Sequence, residues 1–115
     1  MDQPTPDVSE EDVRRILQRD FPHADIAALW RTIEELDLRE RWRVAAACLK
    51  NAGGSVDKLR GELGAAGGWY REIILEAEYP GAAKKMFRWD RLSETEKQAI
   101  YDKDWQQYDE WFRSQ

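Results

Sequence analysis

The chain has 115 residues, which is the usual size of one domain and long enough to bury a hydrophobic core. It carries 18 basic and 23 acidic residues, a net charge of −5, and this balance argues against a dedicated nucleic-acid-binding protein, because such proteins usually present a basic face. The single cysteine, Cys48, excludes an internal disulfide bond.

Residues 1–7 are predicted to form a flexible tail, because they contain two prolines and no apolar periodicity. They lack the basic and apolar regions of a signal peptide. The longest apolar run, Val44–Leu49, is far too short to cross a membrane. We therefore predict a cytoplasmic protein that does not enter a membrane, with residues 8–115 forming one helical domain.

Residues typical of helix starts and stops divide the chain into helical segments. Ser9 is a predicted N-cap, with Asp12 as the acid of a capping box, and this first helix is expected to end near Arg19. Pro22 is expected in the first turn of a second helix that runs to about Leu36.

The middle of the chain predicts two more helices. The third covers Arg39–Asn51, is rich in alanine and ends at a glycine pair, residues 53–54. Ser55 is the predicted N-cap of the fourth helix, and the glycine-rich run 64–68 is expected to end it.

The stretch Gly67–Pro80 predicts a fifth helix, with the others packed around it. Pro80 is expected to end it, because proline disfavours helical geometry at the preceding residue. Leu75 and Tyr79 form one apolar strip. A second apolar arc, roughly 140° wide, comprises Trp69, Tyr70, Ile73, Ile74 and Ala77. A helix with two apolar faces is typical of a central position.

Residues 81–92 are predicted to connect this helix to a last one over residues 93–113, which Ser93 and Glu96 begin with a capping box. No segment has the alternation of a strand. The pattern as a whole predicts an all-α fold, a compact and irregular bundle of about five helices plus a C-terminal aromatic amphipathic helix.

Aromatic side chains recur at helical spacing on this last helix. The stripe and its edge comprise Tyr101, Trp105, Tyr108, Trp111 and Phe112. A stripe of this kind is more often core than interface. Aromatic anchors on one helix are also how a helix docks into a groove on a protein partner or on a second copy of the chain, so both interpretations stay open.

Basic and aromatic residues alternate in the connecting stretch, as they do in proteins that bind single-stranded nucleic acids. The cations are Lys84, Lys85, Arg88 and Arg91. Val56–Ile74 also has the spacing of a helix-turn-helix motif. Its second helix is acidic, however, and phosphate would repel it. Nucleic-acid binding through the four cations is therefore the alternative interpretation and not the favoured one.

Residues that carry enzyme chemistry are sparse. His23 lies between Asp20 and Asp25, but no second histidine or cysteine pair accompanies it, and the group is typical of a helix start. Cys48 lies in an alanine-rich face, as a small buried residue would. No glycine-rich loop carries the lysine and hydroxyl residue of a phosphate-binding loop. We predict that the protein is not an enzyme and holds neither a metal nor a cofactor.

Part of the sequence resembles small bacterial helical proteins that form a family of unknown function. These carry a Gly-Gly-x-x-Asp-x-Leu turn followed by a Tyr-Arg-Glu/Asp…Ala-Glu-Tyr-Pro segment. The matching residues here, about a third of the chain, are Gly53, Gly54, Asp57, Leu59, Tyr70, Arg71, Glu72, Ala77, Glu78, Tyr79 and Pro80. The resemblance implies a bacterial cytoplasmic protein and no particular activity. Its polar residues are Arg71, Glu72, Glu78 and Tyr79. We favour a set of salt bridges on the flank of the helix for them. The alternative is a ligand-facing cluster, and a closed polar pocket around Arg71 and Glu78 would favour a small-ligand-binding protein or an enzyme as a third class.

These observations favour a small cytoplasmic helical protein that acts through contact with a protein partner or by forming a homodimer. A helix-turn-helix-like nucleic-acid-binding or regulatory protein is the alternative.

Overall fold

The computed structural model describes residues 5–115 and confirms the all-α prediction. No strand occurs in this part of the chain. The helices in chain order are α1 (Glu10–Asp20), α2 (Ile26–Glu34), α3 (Arg41–Ala52), α4 (Val56–Glu78), α5 (Pro80–Lys84), a 3₁₀ helix (Met86–Arg91) and α6 (Glu94–Arg113). The predicted N-terminal tail falls partly on residues 1–4, which lie outside the described residues. Within its remainder, Pro6 is buried.

Serine side chains cap three of the helices, as predicted. The hydroxyl of Ser9 accepts a hydrogen bond from the backbone N–H of Asp12, and the Asp12 carboxylate accepts one from the backbone N–H of Ser9, at 3.1 and 3.0 Å. Ser55 and Ser93 accept hydrogen bonds from the backbone N–H groups three residues further along. The predicted capping box at Ser93 is only half formed, because the Glu96 carboxylate accepts no hydrogen bond from the backbone N–H of Ser93. Each cap satisfies a donor that the first turn of a helix leaves without an intrahelical partner.

The second helix begins later than predicted. Helix α1 continues to Asp20, Pro22 lies in a turn, and α2 starts only at Ile26. The carboxylate of Asp25 accepts a hydrogen bond of 3.1 Å from the backbone N–H of Ala28. The placement of Pro22 in the first turn of this helix was wrong, because proline suits turns as well as helix starts and the side-chain cap is at Asp25.

Helix α4 continues through the glycine-rich run that was expected to end it. Helical backbone geometry fails only at Trp69, with φ −120° and ψ 23°, so two helical segments meet at a kink. The kink directly follows the glycine pair 67–68, and glycine pairs are a common place for helices to bend. The predicted stop at 64–68 was therefore wrong, and the stretch Val56–Ile74 lacks the turn of a helix-turn-helix motif.

The burial of neighbouring residues explains why α4 remains helical through its glycines. Each glycine costs a helix interior about 1 kcal/mol relative to alanine. Leu63 and Ala66, on either side of Gly64, are both buried in the core cluster. Their burial against the rest of the core offsets this local cost.

The most fully buried helix is α3, in which all six residues from 44 to 49 are buried. Both segments of α4 contribute to the same core, and Ile73 and Ala77 are buried as predicted. Trp69, which was predicted on this buried arc, is 61% exposed. The kink at Trp69 takes its side chain out of the register of the residues that follow.

The connecting stretch consists of α5 and the 3₁₀ helix. Pro80 is the first residue of α5, and Tyr79 separates it from α4, so Pro80 does end the preceding helix as predicted.

Candidate functional site

The C-terminal part of the aromatic stripe lies against the rest of the molecule. Tyr108 is 2% exposed, and its ring stacks with the rings of Trp105 and Phe112. Trp111 and Phe112 are half-buried and pack against the hydrophobic core. These contacts support the core interpretation for this part of the stripe. Binding of a partner by the stripe stays a prediction.

Two arginines of α1 hold the C-terminal end of α6. Arg19 donates hydrogen bonds to the backbone carbonyl groups of Trp111 and Ser114, at 2.8 and 2.6 Å. Arg15 donates to the carbonyl group of Phe112 at 2.8 Å. The two guanidinium groups also lie over the rings of Trp111 and Phe112. The last carbonyl groups of a helix have no partner further along it, so this clamp satisfies those of Trp111 and Phe112 and fixes α6 to α1.

Tyr101, at the other end of the stripe, lines an open groove of about 520 Å³ between the end of α4, α5, the 3₁₀ helix and α6. The ring of Tyr101 lies 6.3 Å from that of Tyr79 and 5.2 Å from that of Trp89, measured between centroids. We call this surface the aromatic groove. It is lined by Thr5, Leu75, Tyr79, Ala82, Met86, Trp89 and Tyr101.

Two apolar side chains next to the aromatic groove project into solvent. Phe87 is 84% exposed and Met86 is 56% exposed. The guanidinium carbon of Arg88 lies 5.9 Å from the centroid of the Phe87 ring. The cations of the nucleic-acid alternative are all within four residues of Phe87 in the chain, and all but Lys85, which is half-buried, are exposed. We call the Phe87 patch the group Lys84, Lys85, Met86, Phe87, Arg88 and Arg91.

A buried carboxylate fixes the helix that leads into this patch. Asp104 of α6 is 3% exposed and accepts hydrogen bonds from the backbone N–H groups of Gly81 and Ala82, at 2.7 and 3.0 Å. A Cβ atom at Gly81 would lie 2.6 Å from the Asp104 carboxylate, so any larger residue here would force this carboxylate to shift. The amide of Gln107 also joins α6 to α4 by donating to the backbone carbonyl of Ala77.

A second buried carboxylate joins α3 to α4. Glu78 is fully buried, and its two oxygens accept hydrogen bonds from the guanidinium group of Arg43, at 2.6 and 2.8 Å. This bidentate pair raises the pKa of Arg43 above its ordinary value, first through the hydrogen bond to Glu78. Burial, followed by the negative charge of Glu78, raises the pKa of Tyr108. Arg43 had not been singled out from the sequence.

The exposed side chain of Trp69 marks another surface, at the kink of α4. Glu72 and Glu76 follow it at three and seven residues, and both are exposed. Glu72 and Glu76 are four residues apart, so they fall on one side of the second segment of α4, and Trp69 lies at the kink where this segment begins. We call Trp69, Glu72 and Glu76 the Trp69 patch. The sequence had placed Trp69 in the core, so nothing in its periodicity pointed to this surface.

The residues considered for chemistry from the sequence do not converge. His23 is exposed, Asp25 caps α2, and Asp20 binds Arg19. Cys48 is fully buried, as predicted, and burial raises the pKa of its thiol to about 12. No group of three or more histidine, cysteine or acidic residues among residues 5–115 could hold a metal ion.

The polar residues of the Tyr-Arg-Glu…Ala-Glu-Tyr-Pro segment point to different places. Arg71 is exposed, and its guanidinium group lies over the ring of Tyr70. Glu72 is exposed, whereas Glu78 is buried against α3 and Tyr79 lines the aromatic groove. These side chains therefore do not share one pocket.

Comparison with protein-family models, with curated proteins and with solved structures gave no match. The resemblance to bacterial helical proteins of unknown function thus stays a prediction. None of the helices between residues 5 and 115 is both long enough and apolar enough to cross a membrane.

Proposed function

We propose that this protein is a protein-binding module whose contact surface is the aromatic groove together with the Phe87 patch. The observation that carries the proposal is the 84% exposure of Phe87 beside a groove lined by aromatic rings. Burial of a large apolar side chain contributes about 1.5–3 kcal/mol. Exposed apolar side chains grouped next to a groove are typical of surfaces that a partner covers.

The backbone under this surface supports the proposal. Asp104 holds the first turn of α5, and the rings of Tyr79 and Trp89 contact Tyr101. A surface that is already ordered loses less conformational entropy when a partner binds. Tyr101 is also the member of the predicted partner-binding stripe that reaches this surface.

Photo-crosslinking from position 87 tests the proposal. Phe87 is replaced by a photoreactive phenylalanine analogue in the cells that produce the protein, and the covalent products are identified by mass spectrometry. The matched control carries the same analogue at Gln18, which is exposed on α1. We expect a defined protein adduct from position 87 that is absent from position 18. A charge placed in the patch by Met86→Asp should suppress it.

Three results would contradict this function. Adducts that disappear on nuclease treatment would favour the nucleic-acid alternative. Adducts with lipid would mean that the patch contacts a membrane surface. The same products from positions 87 and 18 would mean that the contacts are non-specific.

A further inference from the structure

Three large apolar side chains are exposed in the part of the chain that the structure describes, namely Trp69, Met86 and Phe87. They belong to two patches, since Trp69 is at the kink of α4 and the other two are in the 3₁₀ helix. Isolated exposed apolar residues are common on protein surfaces. Two exposed apolar patches of opposite charge need a further explanation, because a single contact between two molecules can cover one patch of each.

The two patches carry opposite charges. The segment 84–91 contains four basic residues and one acidic residue, whereas the whole chain has a net charge of −5. Trp69 is followed by two exposed carboxylates, Glu72 and Glu76, and by one exposed cation, Arg71, whose guanidinium group lies over the ring of Tyr70.

The surface next to Trp69 is also open to close approach. Gly67 and Gly68 immediately precede it and are both exposed, and beyond the adjacent residues and the local helix backbone no atom lies within 4 Å of where a Cβ atom at either glycine would be. An incoming aromatic ring can therefore pack on the α4 backbone beside the indole ring. Aromatic pairs packed in this way gain energy beyond the area that they bury.

A contact between two Phe87 patches is less favourable than a contact between a Phe87 patch and a Trp69 patch. It would bring four basic residues of each copy together, and juxtaposed like charges oppose association. A contact between the Phe87 patch of one copy and the Trp69 patch of another instead pairs cations with carboxylates. It also covers all three exposed apolar side chains.

We propose that the partner of the Phe87 patch is the Trp69 patch of a second copy of this chain. The inference rests on the proposed function, because it names the protein that the contact surface binds. The contact is between unlike surfaces, so each copy has one donor patch and one acceptor patch.

Light scattering and sedimentation velocity on the purified full chain test this pairing over a wide range of concentrations. We expect the average mass to rise with concentration and the association to weaken as salt is added, because exposed charges are screened. Phe87→Ala and Trp69→Ala should each weaken association at least about tenfold. Gln18→Ala is the matched control and should leave it unchanged. Circular dichroism establishes that each variant is folded.

Mixing the two variants distinguishes unlike from like pairing. Phe87→Ala retains the Trp69 patch, and Trp69→Ala retains the Phe87 patch. An equal mixture should therefore form dimers at concentrations where each variant alone is monomeric. No recovery on mixing, or wild-type association by the Trp69→Ala variant, would overturn the inference.

A chain that stays monomeric at every concentration would also overturn it. If position 87 nevertheless crosslinks to a different protein, the proposed function stands and only the choice of partner fails. Crosslinks between two copies of the chain support both proposals.

Discussion

The ion pair between Arg43 and Glu78 allows a quantitative test of the packing of α3 against α4. Arg43→Met keeps most of the side-chain volume but removes the charge and both hydrogen bonds to the fully buried carboxylate. Removing one partner of a buried ion pair costs about 3–5 kcal/mol, because the remaining charge loses its bidentate hydrogen bonds and its opposite charge. For a domain of this size the melting temperature should fall by at least about 10 °C.

The other carboxylate near Arg43 provides the matched control. Glu40 accepts a hydrogen bond of 3.2 Å from the same guanidinium group, but its side chain is 55% exposed. Exposed pairs contribute at most about 1 kcal/mol, so Glu40→Ala should have a small effect. Urea unfolding followed by tryptophan fluorescence measures both variants.

The double variant Arg43→Met/Glu78→Met separates the charge effect from the loss of packing. Two apolar side chains of similar size replace the pair, so the double variant should be more stable than Arg43→Met alone. The reasoning is refuted if Arg43→Met costs no more than Glu40→Ala, or if the double variant is no more stable than Arg43→Met alone.

Four further predictions concern other buried or helical positions. Gly81→Ala should lower the free energy of unfolding by about 2–3 kcal/mol, because its Cβ would displace the Asp104 carboxylate from two backbone donors; unchanged urea unfolding would contradict this. Gly64→Ala should raise the free energy of unfolding by about 0.5–1 kcal/mol, because alanine restricts the unfolded chain and its methyl group meets open space on the helix. Urea unfolding measures this gain too. Arg19→Ala should speed hydrogen exchange at the end of α6 by removing its clamp, and unaltered protection there would show that the clamp is dispensable. The raised pKa of Cys48 implies a contribution to stability that is complete below pH 9.0 and lost between pH 9.0 and about 12, because only the thiol of the unfolded chain ionises in this range. The free energy of unfolding, measured in urea, should therefore fall less steeply with pH in Cys48→Ala than in the wild type. Equal dependence on pH in the two proteins would contradict the assignment.

Local signals predicted the features that depend on neighbours in sequence. The caps at Ser9, Ser55 and Ser93 are hydrogen bonds to backbone groups three residues away, so the residue type and spacing suffice to predict them. Pro80 separates two helices for an equally local reason, because its ring restricts the preceding residue. The all-α class follows from such signals together with helical periodicity.

Features that depend on packing could not be predicted in this way. Arg43 and Glu78 are 35 residues apart, and their pairing requires the register of α3 against α4. The glycines of α4 were expected to end a helix, because the low helix propensity of glycine can be read from the sequence. The burial of neighbouring residues that offsets it depends on tertiary packing and cannot. Trp69 continues an apolar periodicity, yet the kink exposes it. The Trp69 patch was missed for the same reason.

The arginine clamp on α6 also has a consequence for how the chain folds. Its hydrogen bonds join residues 92 to 99 positions apart, so they close a loop that contains most of the molecule. The entropy lost on closing a loop increases with its length, and contacts between distant residues therefore form late. We expect α3 and α4 to pair first as neighbours in sequence, and the last helix to dock onto the first only when the intervening core is in place.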